Sequence, residues 1–418
     1  MIFRADVYCR KESMKKGMIL ALAVLYVCVS AGSFFGFRAL AQSGTLGSLI
    51  SPTEPIQSEV PTVEEGNRLN IAAEAPRDQE CPLNGQMYTA VEKESWDKRR
   101  PLAVMIENSQ EARPQAGLSK ADIMYEAVVE GGITRFMGVF YCGAQAKDVL
   151  LAPVRSARQV FLDYASEYNE PLYAHVGGAN GGDTDKRVQA LEHIGDYGWN
   201  QRTDLNQFSI GYPTFVRNYD RIPGKDVATE HTMETSTERL WAIGEKRGFT
   251  NMSPETVVKK KTVPGQDWKT EYTAWKFADD ADESKRGTVT TFSNEFWSGY
   301  TDFAVKWEYD KTTNTYKRTM GGAQHIDQNT SKQISPKNVV IMEVPETPSV
   351  DIHKHNYFQT TGTGKATIFQ NGEKIEGTWA KKAREDRTIF TDKKGKQIEF
   401  VRGMIWIEVV DKGTEITN

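Results

Sequence analysis

Hydrophobic positions fall into three regimes along this 418-residue chain. They are continuous between residues 17 and 37, thin out among Pro, Glu and Ser between 42 and 80, and return from about 81 onward as short runs broken by turn-forming residues. Residues 101–107 (PLAVMIE) have the pattern of a buried strand that delivers Glu107 and Asn108 to a sheet edge. Residues 123–129 and 133–141 are β-prone runs parted by Gly131 and Gly132, which predicts a hairpin or two neighbouring strands. After another apolar run at 149–154, a helix is predicted from a Ser156 cap through Ser166, with Val160, Phe161 and Tyr164 at helical spacing. Residues 171–176 read as a strand closing on Gly177 and Gly178, and a helix starting at Asp183 or Thr184 would carry Val188, Leu191 and Ile194. Thr235 and Glu238 stand at capping-box spacing ahead of Leu240, Trp241 and Ile243, with Gly248 as a left-handed stop.

Beyond residue 288 the text is strand-like, with runs at 289–292, 303–309, 339–344, 366–370, 374–379, 388–391, 398–401 and 404–410. Asn371-Gly372 between two of these is a strong hairpin signal, because both central residues of such a turn take positive φ. The last runs are expected to form an antiparallel meander. The fold class is therefore α/β in the mixed, α+β sense. An α/β domain with its connector is expected over 81–284 and a smaller β-rich domain over 285–418, the lysine-rich and acidic stretch 251–284 serving as connector or peripheral excursion. The length agrees, since it exceeds what one core usually organises.

The front of the chain changes the picture from a plain globular protein to a targeted one. Lys15 and Lys16 precede the apolar run, and Arg38 and the tripeptide Ala39-Leu40-Ala41 follow it. About twenty apolar residues suffice to cross a hydrocarbon core of roughly 30 Å. The length of the run and the lysines on the cytoplasmic side favour a retained anchor, while the small-x-small tripeptide offers cleavage after Ala41 and a secreted product. Residues 1–41 are thus a cytoplasmic stub with an anchor or signal, and Met14 also fits as a start. Cys28 follows Tyr26 and Val27 rather than the small residues that lipid attachment needs. Residues 42–80 cannot bury enough apolar surface to offset chain entropy and read as a disordered tether. The body is then extracytoplasmic, where an oxidising compartment would let its two cysteines, Cys81 and Cys142, form a disulfide.

Composition narrows the partners. Lys and Arg total 52 against 56 Asp and Glu, a net charge of −4, which gives no global field for a nucleic-acid backbone. No nucleic-acid partner and no cofactor are expected. The 10% aromatic content, with nine Trp and sixteen Tyr, supplies a real core.

Four phrases, PLAVMIEN, ARPQAGLSKADIMYEAVVEGGITRFMGVFY, PVRSARQVFLDYASEYNEPLYAHVGGANGG and GTGKATIFQNGEKIEGTW, resemble the YerB-like family of bacterial envelope proteins. The resemblance spans about 100–410. It implies a mixed-sheet N-terminal domain, a smaller β-rich C-terminal domain and attachment to the outer face of the cytoplasmic membrane, and it brings no activity with it. Many members look like lipoproteins, a tether this chain replaces with its hydrophobic segment.

Within those phrases Arg113, Arg135, Arg155 and Arg158 sit beside glycines or at element ends, where guanidinium donors can hold a phosphate or carboxylate of an envelope polymer. The alternative is that they pair internally with Glu107, Glu126 and Glu130. With Asn108, His175, Gly177 and Gly178 these arginines form the candidate ligand site. His175 at a strand end is the first candidate site histidine, and His231 near a helix start the second. Either could move a proton with Glu107 or Glu130 in an envelope hydrolase, although no Ser-elbow, Cys nucleophile or HExxH motif accompanies them. The binding or scaffold reading is preferred. His353, His355 and Asp351 on one face of a strand would allow a metal, but no fourth ligand is identifiable and none is assigned.

Overall fold

The computed structural model describes residues 68–418 except residue 259. The apolar run at 17–37, the tripeptide ending at Ala41 and most of the 42–80 stretch lie outside the described residues. Among those described, no helix is long and apolar enough to cross a membrane.

The first part of the chain contributes β1 (Leu102–Glu107), β2 (Ile123–Glu130), β3 (Ile133–Phe140), β4 (Leu172–His175) and β5 (Asp204–Asn206). Then come β6 (Thr291–Asn294), β7 (Val305–Asp310), β8 (Thr315–Met320), β9 (Asn338–Glu343), β10 (Glu346–Thr347) and β11 (Tyr357–Phe358). The chain closes with β12 (Gly362–Gln370), β13 (Glu373–Lys381), β14 (Ile389–Asp392), β15 (Ile405–Val410) and β16 (Ile416–Thr417). A ten-stranded sheet runs β14-β13-β12-β9-β15-β2-β3-β1-β4-β5, so strands from both ends of the chain share one hydrogen-bonded plane. β15 lies between β9 and β2 and is parallel to both. The expected antiparallel meander therefore stops at β14. The strand 405–410 is buried throughout and apolar on both faces except for Glu408, which suits an interior parallel strand rather than a half-exposed meander strand.

Alternation sorts the side chains of this sheet onto two cores. One face, with Tyr125, Met137 and Ile407, packs against α2 (Gln159–Ala165) and α3 (Ala190–Asp196) and against Trp268 and Trp275. The 251–284 stretch is thus anchored in a core by two tryptophans rather than wholly peripheral. The other face, with Val104, Phe136 and Trp406, packs against α4 (Thr237–Lys246) and a five-stranded antiparallel sheet that contains β8-β7-β6-β16. Ahead of these, α1 (Ala90–Trp96) begins at a capping box made by Thr89 and Glu92.

Three predicted helix starts move by a few residues, each for a visible reason. α2 begins at Gln159 because Ala157 is still extended and bridges Gly178. Ser156 caps nothing; its carbonyl accepts from Arg135. In place of a helix start at Asp183 or Thr184, a 3-10 turn at Lys186–Val188 is capped by Asp185, and α3 follows from Ala190. α4 is capped by Ser236, since Thr235 is held in a strand and donates to the Thr214 carbonyl. Gly248 is left-handed as expected, as are Asn371 and Gly372 in the β12–β13 hairpin.

Two buried devices tie distant segments together. Cys81 and Cys142 form a disulfide, beside which the Asp122 carboxylate accepts from the backbone N–H groups of Tyr141, Cys142 and Gly143. Glu167, just after α2, accepts from Lys381 and Arg387 at 2.9 Å each and from Thr388 at 2.6 Å. Breaking such a buried pair from one side costs about 3–5 kcal/mol, because the other charge is left without compensation.

Candidate functional site

β1, β2, β4, β5, β9 and β15 run in one direction, so their carboxyl ends line one edge of the sheet. That edge is where open α/β sheets usually place ligands, because loops diverge there and leave crevices. Here it carries Glu107 at the end of β1, Glu130 at the end of β2, His175 at the end of β4 and Asn206 at the end of β5. Arg135, opposite Glu107 near the start of antiparallel β3, joins them.

Glu130 is the hub. Arg158 donates to it through Nε at 2.7 Å and through its terminal nitrogen at 2.9 Å, and Arg135 donates at 2.8 Å. Burial opposes its ionisation, yet the two guanidinium groups hold its carboxyl well below the usual carboxylate range. Burial also pushes Arg135 down to about 10. A cleft of about 340 Å³ opens over this hub, lined by Glu130, Ser156, Arg158, Gly178, Asn180, His353 and His355. Two guanidinium groups thus meet one carboxylate at its base, with Glu107 acting on Arg135 from the far side.

His355 Nδ1 lies 2.8 Å from Asp351, and the backbone of residue 355 bridges Glu130. The His353–His355 segment is a turn rather than a strand, with Lys354 at φ +59°, so the two imidazoles are not presented on one strand face as expected. Among the described residues the metal-capable grouping is Cys81, Asp122 and Cys142, whose sulfurs are bonded to each other.

The other sequence candidates scatter. Arg155 faces Glu107 at 3.3 Å, and His231 Nδ1 lies 2.9 Å from the other oxygen of the same carboxylate. Burial opposes ionisation of Glu107, but His231, Arg155 and Arg135 hold it low. Ser109 donates to Glu107 and lies 3.5 Å from His231 Nδ1, the nitrogen that already faces the acid. A serine relay needs the two partners on opposite ring nitrogens, so these residues do not form one. His175 is fully buried, with Asp204 on Nε2 and the Gly177 carbonyl on Nδ1, both at 2.6 Å. It fixes the Gly177–Gly178 turn from behind rather than facing a cleft; a Cβ on Gly178 would press on Leu191 at 2.8 Å.

Asn108 and Arg113 belong to a network apart from the Glu130 hub. Asn108 donates to Thr134, and Arg113 donates to the Asn108 carbonyl and lies over the Phe303 ring at 5.1 Å. Burial and the nearby Arg318 push Arg113 down to about 10. Beside them Arg318 and Glu126, both without exposed surface, pair at 2.6 Å. The place of His355 in the first cleft, with Asp351 behind it, was missed by sequence reasoning. Their signal was the two histidines and the acid in DIHKHN, read there for a metal rather than for an ion-pair network.

Residues 88–250 match the N-terminal domain of the family described as protein of unknown function (DUF3048), and residues 294–407 match its C-terminal domain. The chain is 29% identical over 314 residues to Bacillus subtilis (strain 168) YerB, described as a candidate lipoprotein; the match covers 75% of this chain and 82% of that one. The crystal structure of Bacillus subtilis YerB superposes with a TM-score of 0.61 at 25% identity, covering 81% of this chain and all of that one. The mixed sheet, the order of the two matched domains and these similarities establish that this chain belongs to the YerB-like family, DUF3048.

Proposed function

We propose that this is a membrane-tethered, extracytoplasmic binding or scaffold protein whose cleft over Glu130, Arg158 and His355 grips an anionic group of an envelope polymer. The observation that carries this reading is the doubly paired Glu130: two guanidinium groups converge on one carboxylate at the base of the cleft, and an entering anion can compete with Glu130 for the charge-assisted hydrogen bonds of Arg158, which lines it. The tether is read from the apolar run at 17–37, from the relative described as a candidate lipoprotein, and from a disulfide suited to an oxidising compartment.

Retention of the full-length protein, held in detergent micelles, on an immobilised glycerol-phosphate polymer tests the site. The wild type is expected to bind and to elute with salt. Arg158→Gln is expected to lose about tenfold or more, the scale of one charge-assisted hydrogen bond. Equal retention by Arg158→Gln, with an unchanged melting temperature, sinks the proposed site.

A further inference from the structure

The same carboxyl edge carries a second and larger cleft at the ends of β9 and β15. It encloses about 830 Å³ and is lined by Asn294, Glu295, Trp297, Glu346, Asp411 and Glu415, among others. Its chemistry is opposite to that of the first. Among the described residues none of its four carboxylates has a cationic partner at ion-pair distance, although acids elsewhere are paired many times over; Lys412 lines the cleft without reaching any of them.

Glu346 is positioned with care. Trp297 Nε1 donates to both of its oxygens at 3.1 Å, and Asn356 donates at 2.7 Å. Asp411 is held by the Glu346 backbone N–H at 2.9 Å. Burial, with Asp411 beside it, pushes the Glu346 carboxyl up to about 7. A second observation is independent of the acids. Asn294, only 4% exposed, is among the residues that line this cleft; its amide N–H donates to Glu408 while its Oδ1, itself buried, meets no donor among the described residues. A lone buried acceptor calls for a ligand that donates. Trp297 and Tyr300, edge to face at 5.4 Å, add an aromatic wall.

We propose that this cleft binds a primary ammonium group presented on a peptide, as on a lysine side chain. The carboxylates and the Asn294 oxygen accept its N–H bonds, and the aromatic wall takes the methylene stem and the face of the cation. A bare metal ion makes no use of an aromatic wall, and these acids are not gathered within metal-holding distance of one another. A neutral sugar leaves the charge uncompensated.

The test is calorimetric titration of the full-length protein in micelles with trilysine, with trilysine acetylated on every amine, with a glucosamine trisaccharide and with calcium chloride. Trilysine is expected to bind, and acetylation to abolish binding. Glu346→Gln and Trp297→Leu are each expected to weaken it about tenfold or more. Glu415→Gln, on an exposed side chain that cannot upset the fold, is expected to weaken it several-fold. Equal binding of the acetylated peptide, tighter binding of the trisaccharide, displacement of trilysine by calcium, or unchanged affinity in Glu415→Gln together with a folded Glu346→Gln would each overturn the proposal. Arg158→Gln leaves trilysine binding intact, which keeps this result separate from the first cleft.

Discussion

Glu130 shows how one residue can be both structural and functional. Its carboxylate neutralises Arg135, which is only 3% exposed, so replacing it leaves a buried cation unpaired. Glu130→Gln is expected to cost about 2–4 kcal/mol at pH 7, read by denaturant unfolding, the lower end reflecting its partial exposure. Its carboxyl is held below the ordinary value in the folded protein. That stability is therefore fully present above the unfolded carboxyl's pKa of about 4.3 and is lost as pH falls toward the folded value. The gap between wild type and variant should narrow between about pH 5 and pH 3; a constant gap would mean the ion pair is not its source. The arginines and their acids were legible in the sequence as a set of charges at element ends. Their sorting was not: Arg113 and Asn108 turn toward a network with Glu126 and Arg318, and nothing local in the sequence announces a partner 192 positions away.

At the scale of elements, the strands of the first half and the Asn371-Gly372 hairpin were readable because alternation and turn chemistry are local. Gly372 is needed twice over, for its φ of +69° and because a Cβ there would lie 2.4 Å from the Tyr309 ring and 2.8 Å from the Gly287 carbonyl. Gly372→Ala is expected to destabilise by about 2 kcal/mol or more through combined strain and crowding, visible as a lower thermal midpoint. Substitution at Gly395, also left-handed but with open space around it, should cost less. Helix starts were misread where a polar residue had a competing partner, as Thr235 does in the Thr214 carbonyl. The His353–His355 segment was misread because one left-handed lysine breaks the alternation that would align its imidazoles.

For the whole molecule, the informative fact is that β15 fills the gap between β9 and β2. The apolar run of β15 was plain in the sequence, but which strands flank it depends on pairing between segments about 280 positions apart, which no local pattern encodes. Removing residues 405–418 should bare β2 and β9 together. Limited proteolysis is then expected to digest the first half as readily as the second, whereas a surviving fragment spanning 88–250 would show that half to stand alone. During synthesis Ile123–Glu130 leaves the ribosome about 280 residues ahead of its neighbour Ile405–Val410. A half-made chain must therefore wait with a sticky, unsatisfied flank, and any holding factor that escorts the nascent protein has that flank as its natural handle.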